Sequence, residues 1–389
     1  MLRGLALRQD VLARWALIGL LIFLCVPWWM PSNKHYHHLI HVFLWMPVLL
    51  ALCVGSFRQK LKQPEMLLFA LLAAWTLLIV LLHGDHGTKA KMPFYVLLTL
   101  LGVLLAAQDS RWSLERLLAG CVLVGALGAL VSIVCFYATL EPGSEQRLIT
   151  PGLWDRAIMA AHAVGALAML GVFLCWRPGQ RPWFVALLVI ALLAYIAFLA
   201  LNQTRGVWLA LFAALVMMVV ALPSRQGLII LLLVLAGVAG VALFEPQILL
   251  QRGLSYRPTL WAGGVQLIRD NWLLGLGFDP YEIAVPALQK SFKHPHNLFL
   301  DTGVRLGIPG LLLFLLLWGA TLRRAWQNRE GALGRALLAL WTFSSVALLS
   351  DGIGLWLKPN ADWLITWLPI ALGMVLAMRQ VDADRSGTM

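Results

Sequence analysis

The chain contains little charge for its length. Only 12% of its 389 residues are Asp, Glu, Lys or Arg, whereas 61% are hydrophobic. A water-soluble core of this size could not bury so much apolar surface, so a soluble protein is excluded and no nucleic-acid partner is expected. The composition predicts an all-α polytopic integral membrane protein, because a helix satisfies its own backbone hydrogen bonds inside a bilayer.

The sequence also lacks the usual patterns of a metal or disulfide site. Its five cysteines all fall inside apolar runs and form no C-x-x-C pair. The only D-x-D, Asp382–Asp384, lies in the short C-terminal tail, and "HYHH" (35–38) and "HGDH" (83–86) are too loosely spaced to favour zinc. We therefore predict neither a metal ion nor another cofactor.

Long apolar runs divide the chain into membrane spans. A run of about 18 to 22 apolar residues is long enough to cross a bilayer, and about twelve such runs are present. They are 12–30, 38–56, 66–83, 92–107, 115–139, 157–176, 183–201, 206–222, 227–244, 297–321, 333–350 and 361–378. We expect nine spans in 1–244, one large loop at 245–295, and three spans followed by a tail in 296–389.

The distribution of basic residues predicts the orientation of these spans. If the N-terminus is cytoplasmic, most Lys and Arg residues of the short loops also lie in the cytoplasm, as the positive-inside rule requires. Both termini are then cytoplasmic and the long loop faces outward. The basic residues that remain outside need a reason, and an anionic ligand on the outer face is one.

The long loop has the pattern of a folded segment. "RPTLWAGGVQLIRDNW" (257–272) places Leu260, Trp261, Val265, Ile268 and Trp272 on one helical stripe, and the turn "GLGFDP" follows it. Such an amphipathic helix either lies on the membrane surface or caps a cavity between the spans. The loop is long enough to act as a lid over a site.

The stretch "KHPHNLFLDTGVRLGIPG" (293–310) contains the main candidate for chemistry. Pro295 favours a position at a helix start, which predicts His296 in the first turn of the next span. There the helix dipole would keep the imidazole neutral, in the form that accepts a proton from a hydroxyl group. The alternative is an interfacial residue that caps the helix. His294 either supports His296 or simply lies at the interface.

Two arginines are candidates for binding phosphate. Arg205 follows the polar residues 202–204 at the outer end of a span, where it either serves a cavity or extends to the lipid headgroups. Arg257 directly precedes a proline that opens the amphipathic helix, so its guanidinium and the free amides of that helix point the same way. Guanidinium groups and helix N-termini both attract phosphate oxygens.

These segments resemble one known family. "HNLFLDTGVRLGIPG" (296–310) fits the pattern H-[NSQ]-x9-G-x-x-[GTY] of the O-antigen ligases, with His296, Asn297, Gly307 and Gly310 at the specified positions. "TRGVWLAL" and "SYRPTLW" are similar to the arginine regions of the wider ligase and polymerase superfamily. Twelve spans and one large periplasmic loop before the histidine motif also resemble that family.

The resemblance implies a metal-independent, inverting glycosyltransferase of the GT-C type in the bacterial inner membrane. It would move O-antigen from undecaprenyl diphosphate to a sugar hydroxyl of lipid A-core, on the periplasmic face and among membrane lipids. The implied roles are a general base for His296, diphosphate ligands for the cationic residues, and support from three neighbours. The cationic residues are Arg205, Arg257, Arg147, Arg156 and Lys89; the supporting residues are Asn297, His294 and Arg305.

Some alternatives remain open at this point. Arg305 faces either the donor phosphate or a buried carboxylate such as Asp301, and Asp351 is another possible partner. An O-antigen polymerase has the same donor, and Arg252 and Gly263 have the R-x10-G spacing associated with polymerases. We favour the ligase because only one large loop is present. A transporter without chemistry is a further alternative, but no matching halves are visible in the sequence.

Overall fold

The computed structural model describes residues 2–84, 87–139, 146–176, 179–244 and 256–387. The first part of the predicted loop, 245–255, lies outside the described residues, as do Arg252 and the second half of "HGDH". The α-helices are α1 (Leu2–Cys25), α2 (Asn33–Ile40), α3 (Met46–Ala51), α4 (Gly55–Lys60), α5 (Pro64–Leu82), α6 (Gly87–Ala90), α7 (Met92–Ala106), α8 (Leu114–Thr139), α9 (Ala157–Leu170), α10 (Pro182–Asn202), α11 (Arg205–Ala221), α12 (Arg225–Phe244), α13 (Arg257–Asp270), α14 (Leu298–Gln327), α15 (Ala332–Ser350) and α16 (Trp367–Gly387).

Shorter elements complete the described part of the chain. Two strands, β1 (Ile283–Val285) and β2 (Lys290–Phe292), form an antiparallel pair in which Ile283 lies opposite Phe292. The remaining short elements are π-helical turns at His41–Trp45 and Gly171–Cys175, and 3-10 turns at Val26–Trp28, Pro286–Leu288 and Ala361–Leu364.

The helices confirm the prediction of an all-α integral membrane protein. Within the described residues, nine helical segments are long and apolar enough to cross a membrane, and each overlaps a predicted span. The predicted spans 206–222 and 227–244 correspond to α11 and α12, of which α11 has 17 residues. The predicted span 38–56 is divided by the π-helical turn at His41–Trp45, shortly before Pro47. A proline removes one helical N–H donor, and irregular turns of this kind accommodate that loss.

The long loop folds onto the bundle as a small cap. The predicted amphipathic helix is confirmed as α13, which packs on α14 and on β1. Buried Leu260, Ile283 and Val304 bring the helix, the strand pair and α14 into one apolar cluster. Of the predicted stripe, Leu260 is buried, whereas Val265 and Trp272 stay exposed. The cap therefore uses only one part of that stripe against the protein.

The glycine Gly307 breaks α14 near its start. Its φ of 67° is left-handed, and a Cβ atom there would lie 2.4 Å from the carbonyl oxygen of Leu273. Because Pro309 has no N–H group to donate, the carbonyl of Arg305 accepts from the N–H of Gly277 at 3.0 Å. The break thus joins the cap to α14, just beyond the histidine motif.

Candidate functional site

His296 lies before the helix, so the prediction that it occupies the first helical turn is wrong. α14 begins at Leu298, and Asn297 is its N-cap, whose side-chain oxygen accepts from the Leu300 N–H at 3.1 Å. Asparagine is among the best N-cap residues, so the helix begins at Leu298, two residues after the histidine. His296 itself has a φ of 52°, a left-handed conformation that is uncommon for any residue with a side chain.

A carboxylate outside the predicted motif holds the His296 ring. Nδ1 of His296 lies 3.0 Å from Oδ1 of Asp351, the residue that ends α15. The following Gly352 lies so close to Leu298 that a Cβ atom would be 2.8 Å from the Leu298 Cβ. This close approach places the end of α15 against the start of α14, and with it the carboxylate against the imidazole.

The electrostatics of this pair favour an ionised carboxylate. Burial by itself raises the pKa of Asp351, but the hydrogen bond with His296 and the charges of His296, His162 and Arg257 outweigh burial and hold that pKa below its usual value. When the His296 ring is neutral, an ionised Asp351 accepts its Nδ1–H, and Nε2 then carries a free lone pair. The His296 side chain is 26% exposed, so a substrate can approach the imidazole ring.

His294 packs directly against this ring. The two imidazole centroids are 4.1 Å apart in an edge-to-face arrangement. Burial, followed by the charge of His296, lowers the pKa of His294 and keeps it neutral. A neutral neighbour supports the orientation of His296 without competing for the Asp351 carboxylate.

One predicted arginine, Arg257, lies beside the carboxylate, and a second, Arg205, begins a helix whose next residue packs near the end of α15. Arg257 is the first residue of α13, and its Nη2 is 4.0 Å from Oδ2 of Asp351. Arg205 is the first residue of α11, and the adjacent Gly206 lies against the hydroxyl of Ser350, one residue before Asp351. Two helix N-termini, each starting with an arginine, therefore meet near the end of α15.

The other two predicted arginines come from the segment before α9. Arg147 donates from Nε to the carbonyl of Asn202 at 2.9 Å and from Nη2 to the hydroxyl of Thr204 at 2.5 Å. These contacts hold the polar turn that precedes Arg205. Arg156 is the N-cap residue of α9. Both arginines line the same cavity as His296.

That cavity has a volume of about 220 Å³ and gathers residues from five separate stretches of the chain. A second imidazole–carboxylate pair lines it, which the sequence reasoning missed because His162 lies alone within an apolar span. Nδ1 of His162 is 2.9 Å from Oδ1 of Asp362, and both side chains are buried. The polar residues of the cavity are Arg147, Arg156, His162, His294, His296, Asp351 and Asp362.

Lys89 and Arg305 lie outside this cavity. Arg305 pairs with Asp301 through Nε, at 3.2 and 3.1 Å from the two carboxylate oxygens, and the Tyr281 hydroxyl donates to the same carboxylate at 2.6 Å. Of the two alternatives for Arg305, the buried carboxylate is therefore the partner in this structure. Lys89 lies over the ring of Phe278 and shares a narrow cavity of about 40 Å³ with Arg305. Within the part of the chain that the structure describes, no three His, Cys, Asp or Glu residues are grouped as metal ligands.

Comparisons with known proteins agree on one family. Residues 190–315 match the family described as O-antigen ligase. The chain is also 27% identical over 384 residues to an O-antigen ligase of Pseudomonas aeruginosa PAO1, covering 96% of this chain and 94% of that relative. The family match includes Arg205, Arg257, His296 and the break at Gly307, whereas Asp351 lies beyond it.

Proposed function

We propose that this chain belongs to the O-antigen ligase family and joins an O-antigen glycan to lipid A-core during lipopolysaccharide biosynthesis. Undecaprenyl diphosphate would carry the donor glycan, and a core sugar hydroxyl would be the acceptor. The observation that carries this proposal is the His296–Asp351 pair beside Arg257. A base and an anion-binding group next to each other are what glycosyl transfer from a diphosphate requires.

The proton of the acceptor hydroxyl moves to Nε2 of His296 in this mechanism. The hydroxyl oxygen then attacks the anomeric carbon of the donor sugar, and the bond from that carbon to the diphosphate oxygen breaks with its electron pair remaining on the diphosphate. Asp351 keeps Nδ1–H in place and stabilises the imidazolium that forms. A single displacement of this kind inverts the anomeric configuration.

The arginines stabilise the charge that develops on the leaving diphosphate. Arg257 and Arg205 each begin a helix, so the free N–H groups of the first turn add to the attraction of the guanidinium. Arg147 and Arg156 line the cavity that contains His296. Lys89, beside Phe278 and outside that cavity, completes the proposed set. The mechanism uses no metal ion and no other cofactor.

The proposed setting is the bacterial inner membrane, with a GT-C-type arrangement of helices. Both termini would be cytoplasmic, and the cap and the cavity would face the periplasm. The basic residues of the short loops support this orientation, because they concentrate on the side opposite the cap. The donor's polyprenyl tail would then stay in the bilayer while its diphosphate reaches the arginines.

The direct test uses purified protein, a polyprenyl-diphosphate glycan and lipid A-core, with and without EDTA. We expect a glycan-bearing lipid A-core product in both conditions, with inverted configuration by NMR of the new linkage. A longer polyprenyl-linked glycan without transfer to lipid A-core would instead identify a polymerase. A strict requirement for divalent metal would contradict the proposed mechanism.

A further inference from the structure

A second, larger cavity adjoins the proposed reaction site. Its volume is about 790 Å³, and it shares Arg156, Met159 and Ile353 with the cavity that contains His296. Most of its other walls come from α2, the π-helical turn, α7, residues 153–155 and the loop 353–360. The shared residues place the two cavities side by side.

Two buried acceptors in this groove have no hydrogen-bond partner among the described residues. Burial is the main cause that lowers the pKa of His37, and the ring hydrogen-bonds the backbone of Pro359, so the imidazole is neutral. Its Nε2 is then a buried acceptor without a partner. Oδ1 of Asn360 is the second buried acceptor without a partner, because the side chain of this residue does not cap the 3-10 turn that follows it. Leaving a buried acceptor unpaired is unfavourable, and donor hydroxyl groups of a ligand would satisfy both.

The remaining walls combine aromatic rings with cations. The ring centroids of His41 and Trp45 are 4.4 Å apart, and those of Trp45 and Tyr95 are 4.7 Å apart, so three rings form one aromatic group along the groove. Lys34, Lys358 and Arg156 line the same groove together with one carboxylate, Asp155, so its positive side chains outnumber its negative one. Aromatic rings offer flat apolar surfaces that match the C–H faces of sugars, and the lysines attract negative charge.

We propose that this groove binds an oligosaccharide that carries phosphate or carboxylate groups, next to the glycosidic bond being formed. This inference rests on the proposed function. Sugar hydroxyls donate to His37 and Asn360, sugar rings stack on the aromatic group, and the anionic substituents lie near the two lysines. A bare diphosphate does not suit the groove, since it would leave the two buried acceptors unpaired.

Both substrates contain sugars, so the experiment measures them separately. The double variant Lys34→Gln/Lys358→Gln removes the two charges, and Asn360→Leu removes one buried acceptor. Lys293→Gln is the matched control, because Lys293 is exposed and lies outside the groove. Binding of deacylated core oligosaccharide and of a deacylated donor glycan is followed by tryptophan fluorescence in detergent, which needs no catalysis.

We expect the double variant and Asn360→Leu each to lower the affinity for one of these two saccharides by about tenfold, or about 1.4 kcal/mol. Lys293→Gln should leave the affinity for both saccharides unchanged. Weaker binding of the core identifies the acceptor as the occupant, and weaker binding of the donor glycan identifies the donor. Unchanged affinity for both saccharides overturns the proposal, as does an equal loss of affinity for undecaprenyl diphosphate that carries no glycan. Saccharide binding without ligase activity would contradict the proposed function and leave the groove assignment standing.

Discussion

Two histidine–aspartate pairs line one cavity, and they differ in backbone and in burial. The contact distances are nearly equal, 3.0 Å for His296–Asp351 and 2.9 Å for His162–Asp362. His296 precedes a helix in the left-handed conformation and has a side chain that is 26% exposed. His162 lies inside α9 with its side chain only 2% exposed. The hydrogen bond itself therefore does not separate a reactive pair from a structural one.

Backbone strain and access to the cavity make the distinction. A left-handed residue other than glycine costs about 1–3 kcal/mol, and such residues are retained where the surroundings over-determine them, often at functional sites. Pro295 before His296 and the N-cap Asn297 after it provide that constraint. The buried pair instead joins α9 to the 3-10 turn that precedes α16. This difference is the reason for proposing His296 as the base and His162 as a stabilising contact.

The largest expected effect on activity is that of His296→Ala. Loss of a general base lowers kcat by about 10² to 10⁴-fold. The variant should unfold within a few degrees of the wild type in detergent, because the ring is partly exposed. The measurement pairs initial transfer rates with thermal unfolding. Activity within twofold of the wild type would refute the base assignment.

The largest expected effect on stability is that of His162→Leu. It leaves the buried Asp362 carboxylate without its partner, which costs about 3–5 kcal/mol. His162→Asn is the matched control, since its side-chain amide can donate to Asp362 from nearly the position of Nδ1. We expect the Asn variant to unfold near the wild-type temperature and to keep kcat within about tenfold, or about 1.4 kcal/mol of barrier. A stable His162→Asn protein with a far larger loss of kcat would place His162 in the chemistry instead.

Asp351→Asn should reduce activity less than His296→Ala does. The amide of asparagine no longer selects the tautomer with Nδ1–H, and the corresponding change in a hydrolytic triad costs up to about 10⁴-fold in kcat. Because the His296 imidazole is still present in this variant and can accept the proton, we expect kcat to fall by only about 10²-fold. The KM values of both substrates should change little. A raised KM with unchanged kcat would show that Asp351 serves binding instead.

The smallest expected effect is the pH dependence of stability that Asp351 contributes. Its native pKa is below the unfolded value of about 3.9, so its stabilising contribution is complete above that pH and is lost as the pH falls through the lower native pKa. The difference in unfolding temperature between wild type and Asp351→Asn should therefore shrink as the pH falls below about 4. A difference that grows on acidification would contradict an ionised native carboxylate.

Local patterns were sufficient for the helices and for part of the site. Apolar runs of bilayer length predict spans because burial in lipid depends on composition over one stretch. Within the described residues, nine of the twelve predicted spans overlap a helical segment long and apolar enough to cross a membrane. The motif residues His296, Asn297, Gly307 and Gly310 were visible as well. Pro295 predicts His296 in the first helical turn, but the N-cap preference of Asn297 prevails and leaves His296 before the helix.

The amino-acid sequence alone determined that this protein is a helical membrane protein with a histidine motif at the start of one of its long helices, because hydrophobicity and local turn chemistry act within a few residues. Only the tertiary structure decided which carboxylate holds which imidazole. Asp351 lies 55 residues after His296 and Asp362 lies 200 residues after His162, and their pairing depends on how α15 and α9 pack. The groove beside the reaction site is likewise a product of packing, since its walls come from α2, α7 and the loop before α16.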